Sequence, residues 1–83
     1  MRIAVKLVAY LGDPVPGIDD QGNGVIDLPE GTTLADLLGR LDVAGAELSL
    51  TLVGDVAVPE RDQASRVLQD GERVTVFPPI KGG

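Results

Sequence analysis

The sequence predicts an α+β roll, a mixed five-stranded sheet wrapped over one main helix. Three observations lead there. Segments near both ends alternate apolar and polar residues at period two, as half-buried strands do. One stretch alone, Leu34 to Leu41, repeats leucine at helical spacing. That stretch has two strand patterns before it and three after it.

In chain order, Ile3, Val5, Leu7 and Ala9 alternate with Arg2 and Lys6 on the opposite side, which predicts a first strand over Arg2 to Tyr10. Gly12 to Gly24 carries Pro14, Pro16, Gly17, Asp19, Asp20, Gly22 and Asn23 and reads as a loop. Asn23-Gly24 reads as a turn into a second strand, Val25 to Leu28. Asp19 and Asp20 lack the regular spacing and closing Glu of a calcium loop, so they read as a solvated turn. Thr33 then stands as an N-cap with Asp36 three residues on, the spacing of a capping box. Leu34, Leu37, Leu38 and Leu41 form one apolar face, Gly39 interrupts the helix at some cost, and Gly45 is its expected stop.

Beyond the helix, Leu48, Leu50 and Leu52 alternate with Ser49, Thr51 and Val53 as a third strand. Gly54-Asp55 turns it into a short fourth strand, Val56 to Val58. The polar segment Pro59 to Asp70 is expected to form an irregular turn, pinned to the core by Ala64, Val67 and Leu68. Asp70-Gly71 leads into a fifth strand, Glu72 to Phe77, with Val74 and Val76 inward. Arg73, Thr75 and Phe77 point the other way, which predicts an exposed Phe77.

A chain of 83 residues predicts one domain with a modest core. With one Phe, one Tyr and no Trp, that core is built from Val, Leu, Ile and Ala. A net charge of −6 and a pI near 4.3 argue against a nucleic-acid partner, which requires a cationic surface, and favour a basic protein surface instead. The chain has no Cys and no His, so thiol chemistry, a serine-histidine triad and the usual metal ligand sets are not expected; no metal site is assigned. The apolar run after Lys6 is shorter than a signal-peptide core and far short of a membrane span. The expectations are a cytoplasmic location and no membrane partner.

What remains is the ending, Phe77-Pro78-Pro79-Ile80-Lys81-Gly82-Gly83. It divides the chain into a body, residues 1–77, and a flexible tail, residues 78–83. Two consecutive prolines stiffen the exit from the strand, and two residues without Cβ can enter a channel too narrow for other side chains. Pro78 to Gly83 extends about 20 Å, enough to reach into the active site of another protein.

These pieces together resemble the ubiquitin-like sulfur carriers of molybdopterin and thiamine biosynthesis, the MoaD/ThiS family. The matching residues are the opening strand, Pro29-Glu30-Gly31 with Thr33-Leu34-Ala35-Asp36-Leu37-Leu38, the hairpin Gly54, Leu68-Gln69-Asp70-Gly71-Glu72-Arg73-Val74, and the ending. The Phe-Pro-Pro ending is closer to the molybdopterin members. Val53, Lys81 and the Gly12 to Gly24 loop depart from the usual family pattern.

The resemblance implies a β-grasp fold and a carrier rather than an enzyme. A partner similar to ubiquitin-activating enzymes would adenylate the Gly83 carboxylate with ATP. A sulfurtransferase or cysteine desulfurase would then supply sulfur for a thiocarboxylate. No cofactor is expected on the chain itself; ATP is used by the partner. Most closely this describes the small subunit of molybdopterin synthase, with catalytic residues on the large subunit. Gly83 would carry the chemistry, Gly82 would let the tail enter, and Phe77, Pro78, Pro79, Ile80 and Lys81 would contact partners. A terminal carboxylate has a pKa near 3.5, so at neutral pH it is an anion that resists nucleophiles until it is activated. Three alternatives stay open: a carrier for thiamine or another sulfur-containing metabolite, a modifier joined through Gly83 to target lysines, and an interaction module whose tail is never activated.

Overall fold

A computed structural model describes residues 1–8, 15–41 and 50–77 of the chain. The first strand, β1 (Arg2–Leu7), buries Ile3, Val5 and Leu7 on one side, as its alternation requires. The strand expected to Tyr10 ends at Leu7, with Val8 already in a turn; Ala9 and Tyr10 lie outside the described residues. The second strand, β2 (Asn23–Asp27), pairs with β1 antiparallel, from Arg2 opposite Asp27 to Lys6 opposite Asn23.

Asn23 and Gly24 thus belong to the strand and not to the turn before it, a correction with a local cause. The Asp19 carboxylate accepts the backbone N–H groups of Gln21 and Asn23 at 2.8 and 2.9 Å, so the reversal is complete before Asn23. Gly24 then lies so close to the preceding loop that a Cβ there would collide with the Gly17 carbonyl oxygen. Among the described residues, no group of three or more His, Cys, Asp or Glu gathers as metal ligands would.

Helix α1 (Leu34–Leu41) begins with the capping box in reciprocal form. The Asp36 N–H donates to Thr33 Oγ1 and the Thr33 N–H to Asp36 Oδ2, both at 3.2 Å. Leu34, Leu37, Leu38 and Leu41 are all buried against the sheet's inner face. The expected stop at Gly45 lies outside the described residues. No helix among them is long and apolar enough to cross a membrane.

Strand β3 (Leu50–Val53) turns through Gly54 and Asp55 into β4 (Val56–Ala57), with Val53 opposite Val56. Gly54 takes φ +61°, which a two-residue hairpin turn needs at its first central position. Where an irregular turn was expected, Glu60–Gln63 forms a single helical turn, α2, after Pro59. The anchors of that segment also differ from expectation. Leu68 and Val58 are buried, whereas Ala64 and Val67 are exposed. The reason is backbone pairing: the Leu34 N–H donates to Arg66 O and the Leu68 N–H to Thr32 O, so residues 66–68 run beside the start of α1. Successive side chains of an extended segment point to opposite sides, and Leu68 is the one turned inward.

The last strand, β5 (Arg73–Phe77), lies between β1 and β3, parallel to the first and antiparallel to the second. Sheet order is β2-β1-β5-β3-β4. The mixed five-stranded sheet over one main helix is the β-grasp arrangement. Val74 and Val76 face the core, as expected, and complete it with Ile3, Val5, Leu7, Val53 and the helix leucines. Glu72 lies just before the strand, where the Arg66 guanidinium grips it bidentately at 2.6 and 3.3 Å. The Gln69 N–H donates to the same carboxylate at 2.7 Å. The guanidinium's hydrogen bond beside it holds the Glu72 carboxyl below its ordinary pKa of 4.5, against a smaller opposing effect of burial.

Candidate functional site

The site expected from the sequence is the tail with its root at Phe77. Pro78, Pro79, Ile80, Lys81, Gly82 and Gly83 lie outside the described residues. Phe77 ends β5 and is half-buried, not exposed as its outward parity suggested. Leu50 sits directly opposite it in the β3 to β5 ladder, and a cross-strand neighbour on the same face covers the flank of an aromatic ring.

The register decides what else shares that face. Thr51 pairs with Val76 and Val53 with Val74, all turned to the core; Leu50 with Phe77 and Leu52 with Thr75 are therefore turned outward. Leu50 is 51% exposed and Leu52 half-buried, so the outer face carries an apolar floor beside the tail root. Val53, a departure from the family pattern, is 4% exposed and belongs to the core. It takes no part in this surface.

Beside the apolar floor the outward side chains are basic. Ala4 pairs with Arg73 and Lys6 with Thr75 across β1 and β5, which makes Lys6 and Arg73 diagonal neighbours on the outer face. Arg2 lies on the same side, near Asp27 at 3.4 Å. Lys6 and Arg73 form no ion pair among the described residues. Together with Ala4, Asn23, Val25 and Asp19 they line a shallow open depression of about 470 Å³.

Sequence reasoning placed Arg2, Lys6, Arg73, Thr75 and Phe77 on outward sides strand by strand. It did not bring them together, because only pairing puts the outward sides of β1, β5 and β3 on one surface. Leu50 and Leu52 were missed as surface residues. The register of the ladder is what reveals them: with Val74 and Val76 inward, it turns Thr51 and Val53 inward and leaves Leu50 and Leu52 outward.

No curated protein matches the chain. Among solved structures, SAMP1 from Haloferax volcanii superposes with a TM-score of 0.63 at 15% identity. A complex of subunits 1 and 2 of the molybdopterin-converting factor from Helicobacter pylori 26695 includes a chain matching at a TM-score of 0.61 and 20% identity. Both matches cover 100% of this chain and 100% of the other. At these identities they establish a shared ubiquitin-like fold. The ThiS family model matches residues 8–83, from the end of the first strand through the diglycine. The protein therefore belongs to the ThiS family, the ThiS/MoaD-like sulfur carriers of ubiquitin fold.

Proposed function

We propose that this chain is the sulfur-carrying small subunit of a molybdopterin synthase, with Gly83 as the residue that bears the sulfur. The observation that carries the reading is the family match running through Gly82 and Gly83. The Phe-Pro-Pro ending and a structural neighbour solved within a molybdopterin-converting factor complex support the choice of pathway.

In the proposed sequence a Gly83 carboxylate oxygen attacks the α-phosphorus of ATP on an adenylating partner, and pyrophosphate leaves. The acyl carbon of the resulting mixed anhydride is open to a sulfur nucleophile, with AMP as the leaving group. A persulfide from a sulfurtransferase or cysteine desulfurase gives an acyl disulfide. A thiol then cleaves it to the thiocarboxylate and is itself left in a disulfide. The body serves as the handle by which partners hold the tail, and the catalytic residues are theirs. No cofactor is assigned to this chain.

The test is intact-mass measurement of protein recovered from its own cells. Replacement of one terminal oxygen by sulfur adds about 16 Da to the acyl group that activation exposes. Deletion of Gly82 and Gly83 removes that species and the host's molybdopterin synthesis together. Slow-migrating conjugates through Gly83, with no mass gain, would establish a protein modifier in its place.

A further inference from the structure

The chain is acidic, yet the middle of its outer sheet face offers two cations. Lys6 on β1 and Arg73 on β5 stand there as diagonal neighbours, and neither is ion-paired among the described residues. The remaining charged side chains on the outer sides of β1, β2 and β5 are Arg2 and Asp27, which lie 3.4 Å apart. Asp19 stands at the rim of the depression that Lys6 and Arg73 line. Its Oδ1 accepts the N–H groups of Gln21 and Asn23, while Oδ2 has no partner among the described residues. The depression thus sets one carboxylate beside two cations. A segment of this same chain carries the complementary order, Lys81 followed two residues later by the carboxylate of Gly83. Lys81 departs from the family pattern, and the carrier chemistry makes no use of its charge.

We propose that the Lys6 and Arg73 depression is a carboxylate-binding site whose occupant is the chain's own tail, with Gly83 on the two cations and Lys81 at Asp19. The inference rests on the carrier reading above for Gly83 as the free end, and deepens it by giving the unloaded tail a resting place. Length permits the contact. Arg73 and Thr75 precede Phe77 by four and two residues, about 13 and 7 Å, and Lys6 is abreast of Thr75. If Pro78 and Pro79 run straight on for about 6 Å, Ile80 to Gly83 still span about 13 Å, which returns the carboxylate to the level of Lys6. Exposed ion pairs are weak and screened by salt, so a fraction of the chains holds its tail at any moment. A partner that claims the tail competes with this contact, and its apparent affinity falls in proportion to the fraction of tails left free.

The experiment is paramagnetic relaxation enhancement on the full chain, where the lack of Cys makes single-site labelling direct. The nitroxide is carried on Val25→Cys, a position 60% exposed that lines the depression. At about 20 mM salt the label is expected to broaden the amide signals of Gly82 and Gly83 at least about threefold more than in a chain with Lys6→Gln and Arg73→Gln. Salt at about 0.5 M is expected to remove that difference. Lys81→Glu, which sets like charge against Asp19, is expected to lose about half of the broadening. Arg40→Gln with Arg61→Gln makes the same change in net charge on other surfaces and is expected to leave the broadening as in the wild-type chain. All chains are checked by thermal melting, and if the label at Val25 lowers the midpoint, Thr75→Cys on the same face carries it instead.

Equal broadening with and without the two cations overturns the inference, as does an equal loss in the control pair. Broadening in a mixture of labelled chain and isotope-enriched chain without the label overturns the choice of occupant and assigns the tail of a second copy. The titration of salt and variants needs neither ATP nor a partner, so it is separate from the test of the carrier reading. Recovery from cells of a chain extended past Gly83 removes that reading, whatever the label reports. Absence of broadening removes only the contact.

Discussion

Thr51 is 1% exposed, and its Oγ1 has no hydrogen-bond partner among the described residues. A buried hydroxyl without a partner loses its hydration and gains nothing in return. Thr51→Val keeps the shape and removes that loss, so it is expected to raise the unfolding free energy by about 1 kcal/mol in urea titration. Gly39 is a second residue at which the native choice is not the stable one. It is exposed on α1, and a Cβ there meets nothing within 4 Å, so Gly39→Ala should add up to about 1 kcal/mol by the same measurement. Phe77→Ala, at a half-buried position, should cost about 1 to 2 kcal/mol, less than the ~3 to 5 of a fully buried Phe. The cost at Gly39 was readable from the sequence because helix propensity is local. Inward Thr51 was not readable, because alternation shows which residues share a side and not which side meets the core. Hydropathy alone would turn Leu50 and Leu52 inward; pairing with Val74 and Val76 overrides it.

Among the elements, the segment from Arg66 to Glu72 ties the start of α1 to the start of β5. Its backbone pairs with Thr32 and Leu34, Leu68 fills the core, the Asp70 carboxylate accepts the Arg2 N–H at 2.7 Å, and Glu72 closes on Arg66. The run Leu68-Gln69-Asp70-Gly71-Glu72-Arg73-Val74 was legible as a family resemblance, and these contacts give Asp70 and Glu72 a physical task. Glu72→Gln is expected to cost about 1 to 2 kcal/mol, because a charge-assisted bidentate pair is lost while water still reaches the site. Its acid dependence follows from the direction of the shift. The folded carboxyl titrates below its ordinary value of 4.5, so its stabilisation is complete above that pH and lost as pH falls through the lower, folded value. Thermal midpoints measured from pH 6 downward to about 3 should show the wild-type chain declining more steeply than Glu72→Gln. The capping box at Thr33 and Asp36 and the leucine face were also legible, because both are patterns within one helical turn or two. The one-turn helix α2 was not, since four residues give no periodicity to read.

At the scale of the whole molecule, the roll followed from the order of strand and helix patterns, but the strand order did not. Pairing of β1 with β5 joins residues near opposite ends of the sequence, and no local pattern announces it. The shared outer face depends on that pairing and stayed hidden for the same reason. The arrangement also bears on how the protein is made. Strand β5, the last of the described strands in chain order, occupies the middle of the sheet, so a nascent chain halted before Arg73 leaves β1 and β3 with bare edges and no valines between them. A fragment ending at Glu72 is expected to show no cooperative melting transition by circular dichroism. Synthesis thus carries proofreading for the body alone: a ribosome that stops before β5 offers no partner a shaped counterfeit, whereas one that stops beyond Phe77 releases every strand of the sheet.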